Sequence, residues 1–213
     1  YLYVPYRDQD DQPLFDTAYF DFGYDNLFRD NRFNGPDRFG DANQVTLALT
    51  NRTISDENGE ELLRASIAQT IYFEDRKVTL IPGAPPETDS TSPVLGELVA
   101  RLGAGWRTRA GVEWNTHQGS GGTIDRSLVE FGYRDSERHV FSAAYRMRRD
   151  VTEQTDLAAF WPLGEKTTLI GRYNYSLREN RVIEALAGVE YGRCCWRVRA
   201  LVRRYADGTG DDH

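Results

Sequence analysis

Few residues of this 213-residue chain could carry out nucleophilic chemistry. The two cysteines, Cys194 and Cys195, are adjacent, and a bond between neighbours would close a strained ring. They are therefore predicted to be two free thiols or two halves of bridges to another part of the protein. His139 and Ser142, with Asp135 nearby, could form a hydrolase site. Because His139 and Ser142 are three residues apart on a predicted strand, we expect their side chains on opposite faces.

Other candidate sites are weaker still. His117 is in a polar loop and His213 ends the chain, so the three scattered histidines and the cysteine pair give no metal-ligand spacing. The acidic run 56–61 lacks the alternating oxygens of a calcium loop. Residues 119–122, Gly-Ser-Gly-Gly, lack the lysine and following helix of a phosphate-binding loop. We therefore predict no catalytic residue, no bound metal and no cofactor.

Composition excludes two further classes of protein. The chain has 33 acidic and 26 basic residues and a net charge of −7, which argues against a general binder of nucleic-acid backbone. Mean hydropathy is −0.62, and no stretch approaches the ~20 apolar residues of a membrane helix. A membrane barrel remains open, because only alternate residues of its strands face lipid.

The elements that must position these residues are strands. Apolar and polar residues alternate with a period of two, typical of strands with two different faces. The pattern predicts ten antiparallel strands between about 43 and 205. The apolar positions include Val45, Leu47 and Leu49; Ile67 and Ile71; Ala110 and Val112; Phe141 and Ala143; Leu157 and Ala159; and Val198, Ala200 and Val202.

Three features favour membrane strands over a soluble β-sandwich, which the alternation alone leaves open. The strands are long for a globular protein. Connections alternate between short turns and longer polar loops, as in outer-membrane barrels. Aromatic residues gather near strand ends on the apolar face: Phe73, Trp106, Trp114, Tyr133, Trp161, Tyr191 and Trp196. We predict an all-β fold, a transmembrane segment of about ten strands belonging to a larger barrel.

Three regions are predicted along the chain. Residues 1–42 are rich in aromatic and Asp residues and are expected to form a long structured loop. Residues 43–205 carry the barrel strands. Residues 206–213 resemble the start of a further loop, so we expect the chain to be a fragment.

Several short segments of the sequence occur together in one family. They are Tyr1–Gln9 (YLYVPYRDQ), Gly23–Phe33 (GYDNLFRDNRF), Gly35–Arg38 (GPDR), Ala42–Thr46 (ANQVT) and Cys194–Trp196 (CCW). In this order and spacing they resemble the LptD (OstA) family of lipopolysaccharide-assembly outer-membrane proteins. The resemblance covers essentially the whole chain and suggests the middle-to-late part of the barrel domain.

The resemblance implies a function in transport and no enzymatic activity. Members form a very large barrel in the outer membrane of Gram-negative bacteria and insert lipopolysaccharide into its outer leaflet. The lipoprotein LptE plugs the lumen, and lipopolysaccharide arrives over a periplasmic bridge containing LptA. The adjacent cysteines of the family form disulfides with a periplasmic domain, a role that falls here on Cys194 and Cys195.

The charged residues of the polar faces are the candidates for contact with lipopolysaccharide or the plug. They are Arg64, Arg101, Arg109, Glu113, Arg172, Glu184, Glu190, Arg197 and Arg199. Two alternatives to the translocon remain: a closed ten-stranded outer-membrane barrel with hydrolase activity, and a soluble β-sandwich that binds a ligand.

Overall fold

The computed structural model describes residues 1–20, 23–117 and 121–206. The predicted loop residues 118–120 and the terminal residues 207–213, His213 among them, lie outside the described residues. In the described part, no helix is both long enough and apolar enough to cross a membrane.

Nearly all regular structure is β-strand. Four elements precede the long strands: β1 (Leu2–Val4), β2 (Ala18–Tyr19), a 3₁₀ helix (Tyr24–Phe28) and β3 (Phe33–Asn34). The long strands are β4 (Ala42–Ile54), β5 (Glu61–Tyr72), β6 (Val94–Gly103), β7 (Trp106–Asn115), β8 (Thr123–Arg134), β9 (Val140–Arg148), β10 (Thr152–Leu163), β11 (Thr167–Ser176), β12 (Arg181–Arg193) and β13 (Trp196–Tyr205). The predicted ten long strands and the all-β class are confirmed.

Strand order follows chain order. One eleven-stranded sheet runs β1, then β4 to β13, with each neighbour hydrogen-bonded to the next. Neighbouring strands run antiparallel; Leu157 on β10, for example, lies opposite Ala143 on β9 and Tyr173 on β11. This is the meander of hairpins that antiparallel strands joined by short turns produce.

The chain divides into two compact units, each described by itself. The first comprises residues 1–51, 65–97 and 112–124, and the second residues 52–64, 98–111 and those from 125 onward.

In the first unit, the segment after β1 folds back over polar residues of β4 and β5. The Tyr24 hydroxyl lies 3.0 Å from the Thr50 hydroxyl, and Thr46 donates to the Leu27 carbonyl at 3.3 Å. Thr46 also contacts Thr70, which is 1% exposed. The segment therefore covers the polar side of these strands and satisfies their hydroxyl groups.

A network of charged groups gives this covering segment its shape. Asp41 accepts the backbone N–H groups of Lys77 and Val78 at 2.8 and 3.0 Å and the Arg32 guanidinium at 3.0 Å. Burial acts to raise the pKa of Asp41, but these hydrogen bonds outweigh it and hold the pKa below its ordinary value. Arg38 is 1% exposed and donates to the Gln12 carbonyl at 2.9 Å.

In the second unit, short turns join most of the strands. Gly105, between β6 and β7, has φ of 83°. A Cβ there would lie 2.1 Å from the Arg134 carbonyl oxygen, which is a severe steric clash. Only glycine fits this turn, because the position needs both a positive φ and the absence of a side chain.

Aromatic rings form a row along the same unit. The ring centroids of Trp106 and Tyr133 lie 4.9 Å apart, and those of Tyr133 and Trp161 lie 6.3 Å apart. Tyr191 and Trp196 form a further pair at 5.6 Å. Such a row near strand ends is typical of the interface between hydrocarbon and headgroups.

Many apolar side chains of the strands are exposed. Ile67 is 52% exposed, Val198 60% and Val202 77%, whereas Val45 and Val112 are half-buried. A soluble sandwich would bury these residues between two sheets. The alternative of a soluble β-sandwich is therefore not supported, because one face of the strands exposes apolar side chains.

Candidate functional site on the polar face

Charged residues on the opposite face form a ladder across four strands. The Arg172 guanidinium donates to Asp156 on β10 through Nη2 at 2.6 Å, and its Nη1 lies 3.2 Å from Glu184 on β12. Glu184 also pairs with Arg203 on β13 at 2.7 Å. The alternating signs arise because the antiparallel register places these residues on one face.

A second cluster lies further along β12 and β13. Glu190 is 4% exposed and pairs with Arg197 at 3.2 Å and Arg199 at 2.5 Å. One buried carboxylate thus holds two guanidinium groups, and each arginine keeps further N–H donors.

The other four predicted residues lie outside these two clusters, two of them near a turn and two on β7. Arg64 lies 3.3 Å from Glu61, and Arg101 lies 3.3 Å from Glu60. Glu113 lies on β7, as does Arg109. The structure therefore brings Arg172 with Glu184, and Glu190 with Arg197 and Arg199, but it does not assemble all nine predicted residues into one site.

Sequence analysis missed the partners of these residues. Asp156, Arg203 and Arg146 take part in the ion pairs, Arg146 with Glu130 at 2.7 Å. Their positions in the alternation assign them to the polar face. The register between strands decides which carboxylate pairs with each arginine. This register cannot be predicted from the periodicity of a single strand.

Cys194 and Cys195 form the two-residue connection between β12 and β13. Their Sγ atoms are 2.8 Å apart, and both thiols are free and exposed. The contact with Cys195, aided by desolvation, raises the pKa of Cys194. Two thiols with outward access are available to partners outside the chain.

The histidine candidates do not form a hydrolase site. His139 Nδ1 lies 2.6 Å from Asp135 Oδ2, and its Nε2 lies 3.1 Å from the Pro162 carbonyl. Both ring nitrogens are therefore occupied, and Ser142 lies within β9 beyond this turn. His117 contacts Thr91 at 2.8 Å. Among the described residues, no cluster of His, Cys, Asp and Glu could hold a metal ion.

The turn histidine and its carboxylate perturb each other. The hydrogen bond that His139 donates to Asp135 is the main cause of the raised pKa of His139, aided by the Pro162 carbonyl. Desolvation acts to raise the pKa of Asp135, but the hydrogen bonds from His139 outweigh it and lower that pKa. The hydrogen-bonded pair therefore connects the two ends of the turn between β8 and β9.

Long antiparallel strands, an exposed apolar face with an aromatic row, and an ion-paired polar face define the chain as a segment of an outer-membrane β-barrel. The model of the LptD family, described as LPS transport system D, matches residues 1–193. The chain belongs to this family. The match ends one residue before Cys194.

Similar proteins span the whole chain. The LPS-assembly protein LptD of Nitrosococcus oceani is 43% identical over 100% of this chain, and that of Alkalilimnicola ehrlichii is 43% identical over 99%. The protein of the same name from Thiobacillus denitrificans is 39% identical over 97%. The chain covers 28% of the length of each of these curated relatives. Their names describe assembly proteins, and no enzyme function is supported.

Proposed function

We propose that this chain forms part of the wall of an outer-membrane translocon that inserts lipopolysaccharide into the outer leaflet. The observation that carries the proposal is the division of the strands into two faces. Exposed Leu157 and Leu169 lie on the apolar face, and ion-paired Arg172 and Glu190 lie on the polar face. A wall between hydrocarbon and a wet passage for sugars requires this division. The names of the relatives supply the substrate.

The polar face is proposed to meet two kinds of partner. The sugars of lipopolysaccharide carry hydroxyl and anionic groups that hydrogen-bond to guanidinium and carboxylate side chains. A lipoprotein plug of the LptE type would cover another part of the same face. The nine charged residues predicted from the sequence are the proposed contacts. A bridge protein of the LptA type would engage a periplasmic domain outside this chain.

The cysteine turn is proposed to hold the barrel to that periplasmic domain. Cys194 and Cys195 are exposed, and each has a thiol free to form a bridge. The turn joins two strands, so a bridge here would fix the domain to a rigid part of the sheet. The oxidising periplasm permits such bonds.

Depletion of the full-length protein tests the proposed function. Newly made lipopolysaccharide should stop reaching the cell surface, while the proteins of other outer-membrane barrels continue to insert. Surface labelling of lipopolysaccharide in intact cells measures the first, and heat-modifiable migration of a control barrel measures the second. Normal surface lipopolysaccharide after depletion would disprove the assignment.

Site-specific photo-crosslinking tests the two faces. A benzoylphenylalanine at Leu186, opposite Arg172 and Arg203 on the polar face, should crosslink to the plug or to lipopolysaccharide. The same group at Ala187, the next residue, faces the membrane and should give no crosslink to the plug. Equal products at both positions would contradict the assignment of faces.

A further inference from the structure

A concavity of about 470 Å³ lies at the short-turn end of the strands in the second unit. Three consecutive turns border it: Arg138 belongs to the turn between β8 and β9, Lys166 to that between β10 and β11, and Cys194 to that between β12 and β13. Its volume is within the ~300–1,000 Å³ typical of sites for small molecules. Of the two adjacent cysteines, both among the described residues, Cys194 lines it and Cys195 does not.

Cationic groups outnumber carboxylates around this concavity. Its charged lining residues are Arg138, Lys166, Arg193 and Arg197 against Glu137, Glu165 and Glu190. Glu190 is shared by Arg197 and by Arg199 next to it on β13, so this group keeps one positive charge. The other lining charges, three cations and two carboxylates, add one more, and they form no ion pair within the described part of the chain. The concavity therefore favours a small anionic occupant.

The thiol of Cys194 is the reactive group of this cationic site. It is free and exposed, and its Sγ lies 2.8 Å from Sγ of Cys195. An exposed thiol exchanges with a disulfide when its thiolate attacks one of the two sulfur atoms. A cleft with surplus positive charge raises the local concentration of anions, and so of an anionic disulfide. The surroundings of Cys194 thus favour one chemical class of reaction partner.

We propose that Cys194 is a modification site for a small anionic disulfide, represented by oxidised glutathione. The Cys194 thiolate attacks one sulfur of the disulfide, the sulfur–sulfur bond of the reagent breaks, and a new bond joins that sulfur to Cys194 Sγ. The other half leaves as a thiolate and takes up the proton that Cys194 released. Cys194 is oxidised and the leaving sulfur is reduced, so the reagent is the only oxidant required. The product is a reversible cap on the thiol.

The neighbouring thiol would ordinarily remove such a cap. A second cysteine beside a mixed disulfide attacks it and closes an internal disulfide. Here the internal product would be a bond between adjacent residues, and its ring is strained. The cap on Cys194 should therefore persist although Cys195 is in contact with it. A capped Cys194 cannot bond to another domain, so the cap and the proposed bridge compete for this thiol.

Single-cysteine variants measure which thiol reacts. Full-length protein with its plug in detergent is reduced, freed of reductant and treated with oxidised glutathione at about pH 8.5, where an ordinary thiol is about half ionised. Mass spectrometry of the tryptic peptide 194–197 gives the rate at Cys194 in Cys195→Ser and at Cys195 in Cys194→Ser. Hydroxyethyl disulfide, which is neutral, corrects for the intrinsic reactivity of each thiol. The corrected rate should be about threefold or more higher at Cys194.

Removing two cations tests the concavity itself. Arg138→Gln with Lys166→Gln, made in Cys195→Ser, should slow the reaction with oxidised glutathione about threefold to tenfold and leave that with the neutral disulfide unchanged. The matched control is Arg148→Gln with Arg178→Gln, which removes two exposed cations at the opposite end of the strands. It should change either rate by less than about twofold, because charges beyond ~10 Å are screened at 0.1 M salt.

Heat-modifiable migration confirms that each variant is folded. If the double charge variant fails to fold, Arg138→Gln alone replaces it, with a loss of about twofold expected. In wild-type protein, fragmentation of the same peptide should locate the glutathionyl group on Cys194. Accumulation of an uncapped peptide that has lost two hydrogen atoms, the product of a bond between Cys194 and Cys195, would show that the cap does not persist and would overturn the proposal.

Further outcomes would also overturn the proposal. They are no reaction of Cys194 with oxidised glutathione, equal corrected rates at the two cysteines, a charge variant as fast as its control, and equal slowing of both disulfides in the charge variant. The modification goes beyond the proposed function, because it requires only the thiol and its surroundings. None of these outcomes would affect the depletion result, so failure of the modification is distinguishable from failure of the translocon assignment.

Discussion

Glu190 Oε2 accepts hydrogen bonds from both Nε and Nη2 of Arg199, at 2.8 and 2.5 Å. The two residues lie directly opposite each other on β12 and β13. Because the carboxylate is buried while the arginine is half-exposed, the pair joins an enclosed negative charge to a group that still contacts water. Such a fork-shaped pair fixes the relative position of two strands as well as their charge balance.

Removing this carboxylate charge should weaken the hairpin of β12 and β13. In Glu190→Gln, Arg197 and Arg199 lose their shared carboxylate, and we expect a loss of about 1.5–3 kcal/mol, the value typical of a hydrogen bond to a charged group. The measurement is the temperature at which the full-length barrel loses its compact, heat-modifiable migration. Glu179→Gln is the matched control, since Glu179 pairs with Arg181 at 2.6 Å but both side chains are about half-exposed. An equal shift in both variants would show that burial of Glu190 adds nothing.

A charge on the apolar face should prevent stable insertion. Leu157, near the middle of β10, is 45% exposed, and lysine at the middle of a bilayer costs about 2–4 kcal/mol. Leu157→Lys should therefore lower the amount of folded protein in outer membranes. Gln154→Lys, on the polar face of the same strand, should leave that amount nearly unchanged. Normal levels of Leu157→Lys would show that this face does not contact lipid.

Cysteine substitution should change migration on non-reducing gels. We expect the full-length protein to run as a bridged form that Cys194→Ser with Cys195→Ser abolishes, because the exposed thiols are predicted to bond to another domain. Each single substitution should remove one bridge, so the migration of the two single variants distinguishes the two bridges. Reduced samples of all variants are the control and should migrate alike. Identical non-reduced migration of wild-type and doubly substituted protein would remove the bridge assignment.

The turn between β8 and β9 should depend on pH in two directions. The contribution of His139, whose pKa is raised, is fully present below its unfolded value of about 6.5 and is lost as pH rises through the folded value. The contribution of Asp135, whose pKa is lowered, is present above about 3.9 and is lost as pH falls through the folded value. Proteolysis of the turn should therefore be slowest between about pH 4 and 6.5.

His139→Gln should flatten the alkaline side of this profile. His117→Gln is the matched control, because His117 contacts the neutral hydroxyl of Thr91 and should leave the profile of the β8–β9 turn unchanged. A profile that is the same in wild-type protein and His139→Gln would show that the pair does not stabilise the turn.

The long strands could be predicted from the sequence because each carries its own period-two pattern. Val198 and Val202 were assigned to the apolar face by alternation alone, and the register places them opposite Tyr191 and Ala187 of the same face. Strand ends were less certain. The alternation does not fix the end of β12, which continues to Arg193, so that the cysteines themselves make the turn. A strand end depends on pairing with its neighbour, which alternation does not report.

Contacts between distant residues could not be predicted. Arg38, with 1% of its surface exposed, is the clearest case, because an arginine in a polar loop is usually solvated. Its burial requires the Gln12 carbonyl, which only the fold of the covering segment brings near. Likewise, only the register between strands places Gly132, Ser142 and Ala158 next to one another.

The pairing of β11 with β12 contains one irregularity. Asn174 lies opposite Glu184, but Tyr175 lies opposite Val182, so Ile183 has no partner in the ladder. A residue without a partner absorbs a change in strand length. Deleting Ile183 would close the gap on the β11 side and move the last pairs up to Ser176 and Arg181, and it would remove the hydrogen bond that the Ala206 N–H donates to the Ile183 carbonyl at 2.9 Å. Glu184 would keep its place beside Arg172, so the loop end of this hairpin can change in length without displacing the ion pairs.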